Sequence, residues 1–293
     1  MSKVSEVVGF AQTTFSAEGI RPLDNYHQKP EKDELKILEE VKGALRQKLD
    51  SEGHKTSKIP DDGFLVACLR VWEYSVPDTI RVSSNFVKFR VQQKWPFRID
   101  AETVRRELLS EVHWFLPGLD KLGRGILIWN ARHIAPSLRG APSLRGKMTV
   151  EGLQKMGAFL LEQALLRPSV VEKGIVAIFD LKGIGFDIVS CFTLADMQRG
   201  VKMWAGAFPC KLKKLYFVGL SFFLEATVNT VLMMLDKKIQ QRVVVVPAGR
   251  EGEIFGEDIG RDKVPKELGG DLGFDWKSHV EGSWLADETE VTS

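Results

Sequence analysis

Cysteine is scarce in this chain of 293 residues: Cys68, Cys191 and Cys210 are far apart and form no CxxC pair. An odd, scattered set argues against a disulfide framework and a thiolate zinc site, and it suits a reducing compartment. An excess of one charge is missing too, since 41 Lys and Arg face 39 Asp and Glu. A net charge of +2 gives no global pull toward nucleic acid, so no nucleic-acid partner is expected. No uncharged apolar run approaches the roughly 20 residues that a bilayer-spanning helix needs. The opening MSKVSEVVGF lacks the apolar core of a secretory signal. Together these absences predict a cytoplasmic protein of one or two domains.

Catalytic signatures are equally sparse. Gly140 and Gly146 precede Lys147, but the glycines are one residue too far apart for a phosphate-cradling loop. Met148 also stands where a hydroxyl would meet magnesium. Gly183 and Gly185 follow an apolar run, as in a dinucleotide fingerprint, yet Ile188 replaces the third glycine. No GxSxG elbow occurs. The five histidines, His27, His54, His113, His133 and His279, never fall at helical ligand spacing and read as surface or loop residues. The expectation is a protein without catalytic residues, metal or cofactor.

The chain does contain a change of pattern part-way along. Residues 1–30 form an irregular arm. Leu35, Leu38, Val41, Leu45 and Leu49 then recur every three or four residues, the mark of an amphipathic helix. A second helix opens at Asp61 and Asp62 and buries Phe64, Leu65, Cys68 and Leu69. A third opens at Pro77, turns Ile80, Phe86, Val87 and Val91 inward, and ends at Trp95-Pro96. Beyond Gly123 the element types alternate. Strands are predicted at 126–129, 175–179, 215–218 and 243–246, and helices at 149–166, 193–206 and 221–236. Strands separated by helices predict a mainly parallel sheet with helical cover. The fold class is α/β with an all-helical N-terminal region. Ala135–Gly140 is repeated at once as Ala141–Gly146, which reads as a duplicated loop.

The segment 221–236 is the most unusual. Ser221, Glu225, Asn229 and Asp236 make one narrow polar stripe, and apolar residues fill the remainder. Such a helix is buried on several sides or faces something greasy. Lys211, Lys213 and Lys214 precede it, and Lys237, Lys238 and Arg242 follow it. An apolar helix framed by cations is suited to an anionic membrane surface, where each cation contributes about 1 kcal/mol. From Asp271 onward, by contrast, six acids face one lysine.

Six separated motifs, in order, resemble the CRAL-TRIO lipid-binding family over residues 31–276. They are Asp61-Asp-Gly-Phe-Leu65 with Cys68-Leu-Arg70, then Asn85 to Arg90; Gly123-Arg124; Ile175 to Gly183; Phe208-Pro209; Lys238 to Arg242; and Pro265 to Gly270. Within that family the chain is most similar to the alpha-tocopherol transfer and cellular retinaldehyde-binding branch. The resemblance divides the chain into the arm, a helical N-terminal region over 31–95, a lipid-binding domain over 96–276 and an acidic tail over 277–293. It implies a monomeric intracellular carrier whose 221–236 helix is a mobile gate over a pocket for a tocopherol, a retinoid or a related isoprenoid. The alternative is a phosphatidylinositol- or phospholipid-binding sensor. Positions that match the family's pocket are Ile175, Phe179, Phe186, Phe192, Met203, Trp204, Phe208, Leu215 and Phe223. Positions that match a phosphoinositide cleft are Arg70, Lys211, Lys238 and Arg242, which implies transient contact with phosphoinositide-containing membranes. The chain departs from the family at the gate's ends, Gly219-Leu-Ser221 and Met233-Met-Leu-Asp236. It departs also at Gly157 and Leu161, where the branch has small polar pocket residues.

Overall fold

The computed structural model describes residues 31–55, 57–134, 148–185 and 191–285, with Ala205 and Phe223 described for the backbone alone. The arm over 1–30, the duplicated loop over 135–146 and residues 286–293 lie outside the described residues. Three helices open the fold. In α1 (Glu34–Ser51) the spacing of Leu38, Val41, Leu45 and Leu49 puts all four on one fully buried face. Leu35 is exposed instead. Glu34 takes the inward place in that first turn, where its carboxylate accepts from Arg70 Nε and Nη2, both at 2.9 Å, and from the Tyr74 hydroxyl at 2.8 Å. Asp61 caps α2 (Asp62–Val71) by accepting the Phe64 N–H at 2.9 Å. Ser75 caps α3 (Val76–Gln93). Val91 is exposed rather than inward, because in the last turn of α3 the fully buried side chain is Arg90.

The helical region packs beyond itself, against the helices of the sheet. Phe86 meets the ring of Phe208 edge-on at 5.5 Å. Trp95 Nε1 donates to Glu151 at 3.0 Å. The buried Arg90 guanidinium pairs with Glu162, which also accepts the Ile99 N–H at 3.0 Å. Phe86, Trp95 and Phe208 flank that guanidinium. One continuous core therefore joins these helices to the sheet and its cover.

After a short helix, α4 (Arg105–Leu108), the chain enters a five-stranded sheet of order β1-β2-β3-β4-β5: His113–Leu119, Gly125–Asn130, Ile175–Asp180, Leu212–Val218 and Val243–Val246. The first pair is antiparallel and the other three are parallel. The four strands predicted from apolar runs are present, and β1 is an additional edge strand. Parallel strands need helical crossovers and cover on both faces, which is why their sequences are nearly continuous apolar runs. The cover includes α5 (Val150–Leu165) and α6 (Pro168–Lys173) before β3. Between β3 and β4 lies α7 (Leu194–Lys202), continued by a π-helical turn at Met203–Ala207. Next come α8 (Phe222–Met233) and α9 (Lys237–Gln240) before β5, then α10 (Glu251–Asp258). The tail predicted over 277–293 begins instead inside a docked helix, α11 (Trp276–Ser283). Its Trp276 is buried and donates Nε1–H to the Leu108 carbonyl at 2.6 Å.

Burial pushes the Glu162 carboxyl up to about 7, and the Arg90 charge opposes that rise. The two partners therefore differ in how they tolerate separation. A stranded carboxyl can take a proton, whereas a guanidinium keeps its charge. Glu162→Gln is expected to cost about 3–5 kcal/mol in urea unfolding, the usual penalty for an unpaired buried charge. Arg90→Met should cost less, and the double variant should be more stable than the two single losses would sum to.

Candidate functional site

The residues that share one face of the sheet fall into transverse rows. His113, Trp129, Phe179, Phe217 and Val245 are partners in one row, and Leu127, Ala177, Leu215 and Val243 in the next. Ring centroids along the first row are 6.1, 4.8 and 5.5 Å apart from His113 to Phe217. These two rows, without the β5 members, floor a cavity of about 260 Å³. That is just below the roughly 300–1,000 Å³ of ordinary small-molecule sites. Leu153 and Gly157 of α5 and Met197 and Val201 of α7 wall it on the helical sides.

The roof is α8. Leu224, Thr227, Val228, Val231 and Leu232 face the cavity, followed by Leu235 and Ile239. The opposite side exposes Glu225 and Asn229 as predicted, and also two large apolar side chains, Phe222 and Met233, 85% and 74% exposed. Asp236 does not extend the polar stripe, because the helix stops at Met233 and Asp236 caps α9 by accepting the Ile239 N–H at 2.9 Å. Ser221 gives α8 no side-chain cap, whereas Thr193 and Asp196 close a reciprocal capping box on α7. An N-cap bond contributes about 1 kcal/mol, so α8 rests mainly on apolar packing. Gly219 sets its entry. With φ at +68°, a Cβ there would lie 2.6 Å from Lys182 Cγ and 3.0 Å from its backbone, so only glycine fits this turn. Among the described residues, no helix is long and apolar enough to cross a membrane.

Of the pocket positions implied by resemblance, Phe179, Phe192, Met203, Trp204 and Leu215 line the cavity. Ile175 does not. It shares the floor's face but lies one row too early, where Phe115, Val170 and Ile175 close over Gly125, all within 3.0–3.2 Å of where its Cβ would be. Phe208 does not either, since its ring fills the seam against Phe86 and Arg90. Phe186 lies outside the described residues, and Phe223 is described for its backbone alone. Gly157 is on the wall, while Leu161 is buried in core. Sequence reasoning missed Leu127, Trp129 and Phe217, which strand pairing supplies, and the inward set of α8, whose i, i+3, i+4 and i+7, i+8 spacing was available. It also missed His113. That histidine is no surface residue: it lies on the cavity wall, and burial drives its imidazole down to about 3.

The four cationic positions have different surroundings. Arg70 is held by Glu34, and Lys211 pairs with Glu73 at 3.0 Å. Arg242 donates to the Leu212 carbonyl, and Lys238 is exposed on α9. Lys211 and Arg242 come together around a third cation, Lys213. Burial, then the charges of Lys211, Arg242 and Arg124, hold its ammonium below the usual lysine range. This cationic edge is at the start of β4 and the entry to β5, the end of the sheet at which α8 and α9 finish. No group of His, Cys, Asp or Glu able to hold a metal ion occurs among the described residues.

Comparison with known proteins matches residues 109–270 to the CRAL/TRIO domain, more than half of the chain. The chain belongs to the CRAL/TRIO family. This family binds lipophilic molecules, and the chain is accordingly a lipid-binding protein. Curated relatives are the tyrosine-protein phosphatases non-receptor type 9 of Rattus norvegicus, Mus musculus and Homo sapiens. Each is 24% identical over 174 residues, or 59% of this chain and 27% of the relative. The chain thus spans about a quarter of the length of the curated relatives it matches. A solved structure, that of Sfh5, aligns over 90% of this chain and 99% of its own, with a TM-score of 0.49 and 10% identity.

Ala177 is the smallest side chain on the floor, and its Cβ opens on the cavity. Ala177→Phe is expected to lower uptake of a fluorescent lipophilic probe more than about tenfold. Its unfolding free energy should move by less than about 1.5 kcal/mol, since the ring enters space rather than packed core.

Proposed function

We propose that the protein is an intracellular carrier. It takes up one hydrophobic small molecule, a tocopherol, a retinoid or a related isoprenoid, and passes it to or from membranes that contain phosphoinositides. The observation that carries this reading is α8. It turns one apolar side to a cavity, exposes Phe222 and Met233 on the other, and lacks a side-chain cap. A helix so built can exchange cavity contacts for membrane contacts at little cost, because it has apolar surface for both. Ligand uptake is driven by burial of apolar surface, at about 25 cal/mol per Å².

The cationic edge at Lys211, Lys213 and Arg242 supports the membrane half of the reading, since an anionic headgroup there would relieve the mutual repulsion around Lys213. The compact and nearly apolar cavity favours a neutral isoprenoid over a two-chain phospholipid, whose charged headgroup would need polar partners inside. No chemical step is part of the reading.

Two measurements test it. Organic extraction of the purified protein followed by mass spectrometry should yield an isoprenoid-type lipid; a phospholipid would favour the sensor instead. Lys211→Ala with Arg242→Ala should weaken binding to phosphoinositide vesicles by roughly thirtyfold, from two cations at about 1 kcal/mol each. Uptake of ligand from detergent should not change in Lys211→Ala alone, whose side chain pairs with Glu73 and does not line the cavity. Unaltered vesicle binding and transfer in the doubly substituted protein would remove the membrane half of the proposal.

A further inference from the structure

The cavity is lined by few polar side chains, Gln154, Asp196, Thr227, His113 and the indoles of Trp129 and Trp204, and two of them are held by neighbours. The Gln154 amide donates to the Asp196 carbonyl at 2.7 Å and accepts from Arg199 at 2.8 Å. The Asp196 carboxylate accepts from Thr193 and Arg199. The Thr227 hydroxyl is on a helix, where it can turn to the carbonyls of its own backbone. His113 has no such recourse. It opens β1 at the edge of the aromatic floor row, with its ring over Trp129 at 23°. Its Nδ1 is sealed from solvent and has no hydrogen-bond partner among the described residues. The ring lies deep in the molecule, so the surface left to it belongs to the cavity. Nε2 points toward Gly157, 4.0 Å from where a Cβ of that residue would be, and Met203 Cε is 3.5 Å from the same point. The missing side chain at Gly157 leaves room beside Nε2 for a small group.

On these grounds we infer that His113 is the polar anchor of the cavity and selects a lipophile with one uncharged hydrogen-bonding end-group, a hydroxyl or a carbonyl. The inference rests on the carrier reading of this cavity and names the end-group that such a carrier recognises. A buried polar group without a partner is costly, and a site that offers a hydrogen bond rejects the analogue that cannot make it. The imidazole stays neutral near pH 7, since burial holds its protonation near 3. Through Nε2 it therefore offers the cavity one neutral hydrogen-bonding site, donor or acceptor according to tautomer, and no positive charge. A carboxylate or phosphate brought into this apolar space would find no lysine or arginine among the described lining residues, so its desolvation would go uncompensated. Alcohol or carbonyl should thus be preferred over both hydrocarbon and acid of the same skeleton.

The test uses the full chain and three probes on one skeleton: phytol, phytane and phytanic acid, each competing with a fluorescent lipophilic probe. The wild-type protein should bind phytol at least tenfold more tightly than phytane or phytanic acid. His113→Phe should bind phytane as before and lose the preference for phytol. Preference retained by the variant, or preference of the wild-type protein for the acid, overturns the anchor. Uptake of all three without preference overturns the anchor alone; uptake of none overturns the carrier reading with it. A second measurement needs no variant. In protein with ¹⁵N-labelled histidine, phytol should shift the His113 ring nitrogens and phytane should not, and equal response to both would refute the assignment.

Discussion

A parallel sheet has to be covered on both faces, and the character of this molecule follows from how unequal its two covers are. Beneath the sheet the cover is tied down by polar bonds as well as by packing. Tyr216 packs on Phe255 of α10, and its hydroxyl donates to Asp258, which also pairs with Lys214. Above the sheet the cover over β3 and β4 is α8, which closes on the cavity chiefly with side chains of Leu and Val. The floor below it is one aromatic row and one aliphatic row. The two covers over β3 and β4 thus differ in kind, one held by polar bonds and packing, the other by apolar packing on a cavity.

The seam between the helical region and the sheet's helices belongs to the fixed part of the structure. Arg90, Glu162, Phe86 and Phe208 meet there. The π-helical turn at Met203–Ala207 serves both sides, with Met203 and Trp204 at the cavity and Phe208, just beyond, in the seam. The wall of the cavity is therefore braced by the N-terminal helices, although none of their described residues lines it. This arrangement explains why Phe208, close in sequence to wall residues, is structural.

How far the fold was legible in the sequence depends on where each signal comes from. Runs such as Ile126–Trp129 and Ile175–Phe179 announce buried strands because both faces of a parallel sheet are apolar, and the same kind of run at Val243–Val246 forms an edge strand that exposes Val245. Strand β1 gives no such run: it is an antiparallel edge broken by Pro117 and Gly118, and its first residue is a histidine. Val91 and Leu35 carry the right periodicity but lose the inward place to Arg90 and Glu34, which bring ionic partners from other elements. Ile175 has the right parity on β3 and the wrong row, a matter of register against β2 and α6 that one sequence does not contain. His113 was hidden for the same reason. Five histidines are chemically alike until strand pairing sets one of them beside Trp129.

The placement of charge is bound to the same topology. Since β4 and β5 are parallel, α8 must run back across the sheet, so its last turn returns to the end where β4 begins. Leu235, Ile239 and Leu212 all line the cavity. The connection is held by the backbone bond from Leu215 N–H to the Arg242 carbonyl at 3.0 Å and by the Arg242 guanidinium on the Leu212 carbonyl. Arg242 therefore has two duties: it closes the far end of the lid, and it adds charge to the edge around Lys213. An anion that engaged its guanidinium would compete with the Leu212 carbonyl for the same donors. The charge of this edge and the closing connection of the cavity thus meet in one side chain, and the membrane contact proposed above would act on both.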